Sequence, residues 1–265
     1  MFKEAKGALR LMGHYMKFNL AAMMEYRMSF IIQTLGMVLN NSAFIFFWWI
    51  LFNTVENIGG YGFEDVMRIW ALTSTAFGLS NIFFGNTRFI TQIIMTGELD
   101  TYLLQPKDPI INLICSKSNL SSWGDAVYGL ILISLVEQFA VPKIALFLLL
   151  SMTGALLFTA VMITFHSLSF YAGNMEAFAG LMTEFMVTFS IYPEGIFGGA
   201  LKWVLYTLVP VAFLVYLPRS IIMNFNLARL LLVLLAVTLW IMVAYVSFYR
   251  GLKRYESGNL IVNRV

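Results

Sequence analysis

The sequence predicts an all-α polytopic membrane protein with six transmembrane helices, and three observations predict it. Of 265 residues, 60% are hydrophobic and 12% charged, and a mean hydropathy of +0.78 lies well outside the balance of soluble domains. Apolar runs close to the length a helix needs to cross a hydrocarbon core of about 30 Å recur along the chain. Lipid offers no partner to backbone N–H and C=O groups, so such runs form helices.

The start, MFKEAKGALRLMGHYMKFNL, has basic residues but no compact apolar core with a small-residue cleavage site, so it does not read as a removable signal peptide. Phe2, Leu9, Met12, Met16 and Leu20 share a face with Lys3, Lys6, Arg10 and Lys17 around it. That pattern predicts an amphipathic helix over 1–25 lying in the inner headgroup layer, with a plain solvated helix as the alternative. The first span runs from Met28 to Phe52 and closes on Trp48 and Trp49, which suit a membrane–water interface. The second covers Val66 to Phe84 and the third Leu120 to Phe139. The fourth, Ile144 to Phe165, is the cleanest; the fifth, Ala177 to Tyr192, is short and interrupted by Glu184; the sixth is Leu230 to Tyr249. Between the last two, Val204 to Pro218 is too short to span, and Pro210 and Pro218 predict breaks or kinks. The region 193–226 therefore reads as a re-entrant or outer-surface hairpin on the extracytoplasmic side.

Charge orients the chain. With the N-terminus inside, the inner segments hold Lys3, Lys6, Arg10, Lys17, Arg27, Arg88, Lys107, Lys117, Arg250, Lys253, Arg254 and Arg264, while the outer ones hold Arg68, Lys143, Lys202, Arg219 and Arg229. This asymmetry predicts both termini in the cytoplasm. The net charge of +3 then reports topology and gives no reason to expect nucleic acid. Cys115 is the single cysteine, so no intrachain disulfide forms and no metal cluster is suggested. No internal repeat or Pro/Gly/Ser linker divides the chain, which reads as one membrane domain over 1–265. Phosphate-loop, zinc-protease and nucleophile-elbow signatures are missing from the sequence. His14 and His166 read as hydrogen-bonded interfacial histidines rather than metal or acid–base groups.

One polar interruption, MTGELDTYLLQPKDPI, falls on the inner side between the second and third spans. Thr96 is placed to cap a helix, Glu98 and Asp100 sit in its first turn where the macrodipole favours acids, and Pro106 ends it. Leu99, Tyr102 and Leu103 at i, i+3 and i+4 form one apolar face. The expectation is a helix of about nine residues, roughly 13 Å long, that either packs on the membrane surface or accepts force from a soluble partner.

Three stretches carry a resemblance. TGELDTYLLQPKDP, FSIYPEGIFGGALKWVLYTLVPVAFLVYLP and FYRGLKRYESGN together resemble the six-span permease subunits of type-2 ABC exporters, most of all the bacterial branch encoded beside one ATPase gene and a sister permease gene. The motifs stand in the family's order and span almost the whole chain. The resemblance implies a bacterial cytoplasmic membrane location, a permease dimer of identical or sister chains, and an N-terminal connecting helix. It also implies a cytoplasmic coupling helix over 96–106, made of Thr96, Gly97, Glu98, Leu99, Asp100, Tyr102, Leu103, Leu104, Gln105 and Pro106, and an outer re-entrant hairpin before the sixth span. No cofactor is expected in this chain: ATP and Mg would be bound by separate ABC ATPase subunits. Membrane lipids and an exported substrate of unspecified chemistry complete the expected partners.

Glu184 lies about 12 Å into the fifth span at 1.5 Å per residue, where a carboxylate has to face protein or water. It reads either as a pathway or dimer-interface residue, or as a structural acid, protonated or hydrogen-bonded to Thr183, Thr188 or another helix. Asn40, Asn41 and Asn81 share that ambiguity, because interhelical hydrogen bonds explain intramembrane amides equally well. Two other classes remain: a non-transporting structural or sensory membrane subunit, and an intramembrane lipid-modifying enzyme, which lacks a convergent set of polar groups.

Overall fold

The computed structural model describes residues 2–256, with side chains described from Gly7 on; the expectations for Phe2, Lys3, Lys6 and Arg264 lie outside that range. The chain is 80% helical, with no strand among the described residues. Helix α1 (Phe2–Glu25) precedes α2 (Arg27–Phe52) and α3 (Phe63–Phe84). Short helices α4 (Ile90–Thr96), α5 (Leu99–Leu103) and α6 (Pro109–Cys115) lead to α7 (Ser122–Val136) and α8 (Val141–His166). Next come α9 (Ser169–Ala172), α10 (Glu176–Ser190), α11 (Ala200–Tyr206), α12 (Leu217–Met223) and α13 (Leu227–Leu252).

Among the described residues, three stretches are long and apolar enough to cross a membrane: Arg27–Phe52, Val141–Ala172 and Leu227–Leu252. The other three expected spans fall on α3, α7 and α10. Helix α3 carries Glu64, Asp65 and Arg68 in its first turns. Helices α7 and α10 have 15 residues each, about 22 Å at 1.5 Å per residue.

Helix α3 is the axis of the fold. It packs on α7 and α8, with α2 against α7, and with α10 and α13 against α8. Residues on every side of it are buried, Thr73, Ser74, Thr75, Ser80 and Asn81 among them. Three of the hydroxyls find a carbonyl or another hydroxyl: Thr73 donates to Ile69 O at 2.8 Å, Ser74 donates to Asp125 O at 2.7 Å, and Ser80 Oγ lies 2.9 Å from Thr159 Oγ1, while Thr75 Oγ1 is buried without a partner among the described residues. The close approach to α7 depends on Gly129, where an added Cβ would sit 2.1 Å from Thr75 Oγ1 and 2.5 Å from Ala71 O.

At one end of the bundle, called the hairpin end below, residues 193–223 fold as two helical arms. Pro210 stands at the break between α11 and a π turn over Ala212–Tyr216. The second arm turns inward, burying Val211, Ala212, Leu214, Val215 and Tyr216 against α3 and α8. Pro218 departs from expectation: it sits in the first turn of α12, where the wider π turn has removed the need for its missing N–H, so it breaks nothing.

The N-terminal helix lies at the opposite end. The expected apolar stripe divides: Leu9 and Leu20 are exposed, while Met12 packs on the protein. Tyr15, Asn19 and Met23 turn inward with it, a stripe in which two polar residues carry the contact.

Candidate functional site

The segment between α3 and α7 is built around buried amides and hydroxyls. A 3-10 turn over Gly85–Phe89 follows α3 and buries Asn86 completely. Its Nδ2 donates among Leu113 O at 3.0 Å, Ser116 Oγ at 2.8 Å and Tyr102 Oη at 3.3 Å. Thr91 Oγ1 lies 2.8 Å from both His166 Nδ1 and Ser169 Oγ, joining α4 to the end of α8 and to α9. His166 is thus a hydrogen-bonded interior histidine.

The predicted helix over 96–106 is corrected in three respects. Thr96 is the last residue of α4, and its hydroxyl bonds back to Gln92 O at 3.0 Å instead of capping α5. Gly97 then takes a left-handed conformation, φ +78°, which ends α4 at no steric cost. Helix α5 begins after Glu98 without a side-chain cap and spans only Leu99–Leu103, because the residue before Pro106 disfavours helical geometry. The third correction concerns the apolar face. Leu99 is fully buried beside Ile90, Ile94 and Leu113, and Tyr102 and Leu103 pack on the same cluster. Outward point Glu98, Thr101, Leu104, Gln105 and Pro106, with Leu104 at 86% exposure. Asp100 is half-buried on the side of Tyr255, whose hydroxyl is pushed up to about 12 by burial, with Asp100 acting in the same direction.

This outward surface rests on an anchored base. Asp108 caps α6 by accepting from Ile111 N at 3.1 Å, and its other oxygen accepts from Tyr249 Oη of α13 at 2.9 Å. Tyr15 donates to Asn112 Oδ1, and Asn19 Nδ2 donates to Cys115 O at 3.3 Å and Ser118 Oγ at 3.1 Å. Burial pushes the Cys115 thiol up to about 12, so at neutral pH it is an inert packing group. Ser118 Oγ also donates to Ile82 O of α3, so the base is bonded to α1, α3 and α13, and through Thr91 to α8.

The four intramembrane polar residues separate into two pairs. Asn41 is buried and donates to Asp125 Oδ1 at 2.7 Å, and its carbonyl accepts from Tyr128 Oη at 3.1 Å, locking α2 to α7. Asn81 is also interior, donating to Phe77 O at 2.9 Å while its carbonyl accepts from Asn119 N at 3.1 Å. Glu184 and Asn40 face outward. Thr183 donates to Ala179 O, and no hydrogen bond or ion pair holds Glu184 within the described residues. Exposed Gly180, Leu181, Phe185 and Thr188 share its face of α10. Asn40 reaches only Met37 Sδ, at 3.9 Å.

Sequence reasoning missed the polar network at the hairpin end. Arg68 Nε donates to Glu137 Oε1 at 2.6 Å, and its Nη atoms reach Asp65 at 3.2 Å and Glu64 at 3.3 Å. Arg219 Nη2 lies 2.7 Å from the same Asp65 oxygen and its guanidinium stacks 4.0 Å over Tyr61. Lys143 pairs with Glu137, and Lys202 with Glu194 at 3.0 Å. The visible signal was a charged residue at the same end of each of two neighbouring runs, Arg68 on the second and Glu137 on the third. Asp125, the buried partner of Asn41, was missed as well.

A family model described as ABC-2 family transporter protein matches residues 18–258. The chain belongs to this family. No curated protein and no solved structure matches it. As an ABC-2 permease it is a multi-pass membrane component of an ABC transporter, of a kind that associates with ABC ATPase components.

Proposed function

We propose that this ABC-2 permease is the membrane subunit of an ATP-driven exporter in a bacterial cytoplasmic membrane, with α2, α3, α7, α8, α10 and α13 as six spans. In this reading the α1 end is cytoplasmic, the α11–α12 arm re-enters from outside, and ATP and Mg are held by the partner subunit. The outward surface of Glu98, Thr101, Leu104, Gln105 and Pro106 is the ATPase contact. The observation that carries the reading is the pairing of a fully buried Leu99 with an 86% exposed Leu104 one turn on, on a base bonded to four other helices. A leucine so exposed on a short, anchored element is suited to a partner's pocket, and the anchors pass its displacement to the spans as a rigid unit.

Glu184 and Asn40 support a second permease, identical or sister, as the remaining partner. A carboxylate on an outward face among Leu181 and Phe185 is costly in lipid and is accommodated where that face meets protein or a water-filled pathway. Two subunits meeting there would enclose a pathway that six helices alone do not. The test is purification from native membranes: an ATPase should copurify, its hydrolysis should depend on the permease, and Leu104→Asp should remove both while leaving the permease inserted. Full binding and coupled hydrolysis with Leu104→Asp would overturn the assignment.

A further inference from the structure

Between α1 and the bundle lies a cavity of about 1130 Å³, with Arg10, His14, Lys107 and Asp108 among its lining residues. A second cavity of about 280 Å³ adjoins it, walled by Ile110 and Ile114 of α6, Leu156 and Ile163 of α8, and Ile241 and Ala244 of α13. Ile111 and Tyr245 line both, so the two form one crevice with a charged mouth and an apolar interior.

Among the described residues the mouth is cationic in balance. Its carboxylate, Asp108, already accepts the Ile111 N–H and the Tyr249 hydroxyl. Lys107 sits 5.9 Å over the Tyr15 ring, a contact that orients the ammonium without neutralising it. Apart from Tyr245 at the wall shared with the mouth, the polar side chain that lines the interior is Thr159, which is committed to Ala155 O at 2.8 Å and to Ser80. A peptide occupant would find no partners there for its backbone groups, and a soluble anion would leave the groove wet. An acyl chain needs no partner, and a phosphate beside Arg10 and Lys107 gains charge-assisted hydrogen bonds.

We propose that the crevice binds one anionic phospholipid, its phosphate at Arg10 and Lys107 and an acyl chain between α6, α8 and α13. The inference rests on the membrane setting of the family and on the α1 end lying at the headgroup level; it does not need the ATPase contact. Such a lipid would join α1 to α13, and so stiffen the base beneath Leu104.

The test is native mass spectrometry of the delipidated full chain titrated with phosphatidylglycerol and with phosphatidylcholine of equal chain length. Wild type should prefer phosphatidylglycerol about tenfold, as expected for two basic side chains near one headgroup. Arg10→Gln with Lys107→Gln should erase that preference, and Lys17→Gln, outside the crevice, should keep it. Ile241→Trp, filling the groove from an exposed position, should weaken both lipids, and glycerol phosphate should displace neither. Equal binding of the two lipids by wild type overturns the proposal whatever the variants do, as does displacement by glycerol phosphate. An unchanged lipid preference in the double variant with loss of the ATPase would assign the mouth to the protein contact instead. Loss of lipid preference with the ATPase retained would uphold the lipid site by itself.

Discussion

The two ends of the bundle use their cations in opposite ways. At the hairpin end Arg68, Lys143, Lys202 and Arg219 each meet a carboxylate, and Asp65 and Glu137 each serve two cations. At the α1 end Arg88 and Lys117 lie 5.5 and 5.0 Å over Phe89, Lys107 over Tyr15, and Arg254 4.8 Å over Tyr171. Packing there is held mostly by neutral groups, Asn86, Tyr102, Ser116, Tyr15, Asn112 and Asn19, and among the described residues the carboxylate of Asp108 accepts from neutral donors instead of a cation. An ion pair fixes a shape and cancels its charge; a cation over a ring is oriented but stays available to headgroups and partners. One end is therefore built as a clamp, the other as a surface.

The largest expected effect breaks the clamp. Glu137→Ala removes the partner of Arg68 Nε and of Lys143, leaving Arg68, only 10% exposed, to Asp65 and Glu64, and should cost about 3 kcal/mol, the lower part of the range for removing one partner of a buried ion pair. A clear fall in Tm of the purified chain would register it, with the α1 end's partner binding altered only through instability. An unchanged Tm would reduce the network to surface decoration.

Next comes a contrast at the end of α5, between its last residue and the C-cap that follows. Leu103→Asp should lower stability by about 1–3 kcal/mol, because the side chain packs on the chain's own cluster. Leu104→Asp, at an exposed position, should leave Tm within the scatter of surface substitutions. Equal Tm losses at both positions would mean that α5 has no outward face of its own.

That contrast marks where the sequence stopped being legible. The helical runs, a polar break near 96–106 and the Pro210 break were all readable, because helix periodicity and proline geometry are local. Which core the Leu99–Tyr102–Leu103 stripe enters was not, since a period of 3.6 gives an apolar face but not its partner. The Arg68–Glu137 and Asn41–Asp125 bonds join residues 69 and 84 positions apart, a distance no local pattern spans. Glu184 was singled out by depth alone; only the packed helix shows that it points away from the subunit.

A smaller, functional effect is expected at that residue. Glu184→Gln keeps shape and hydrogen-bonding capacity but removes the charge, so substrate-stimulated hydrolysis or export should change while expression and assembly stay normal. Loss of the folded protein would instead give Glu184 a structural role, and wild-type transport would remove it from the interface.

The division between clamp and surface is tested most directly by site-specific photo-crosslinking in intact membranes, with the photoreactive residue at position 104 or at position 202. Both side chains are exposed, so burial does not decide the outcome; the end of the bundle does. The expected result is an ATPase adduct from position 104 and none from position 202. An ATPase adduct from 202, or its absence at 104 while the ATPase copurifies, would contradict that division.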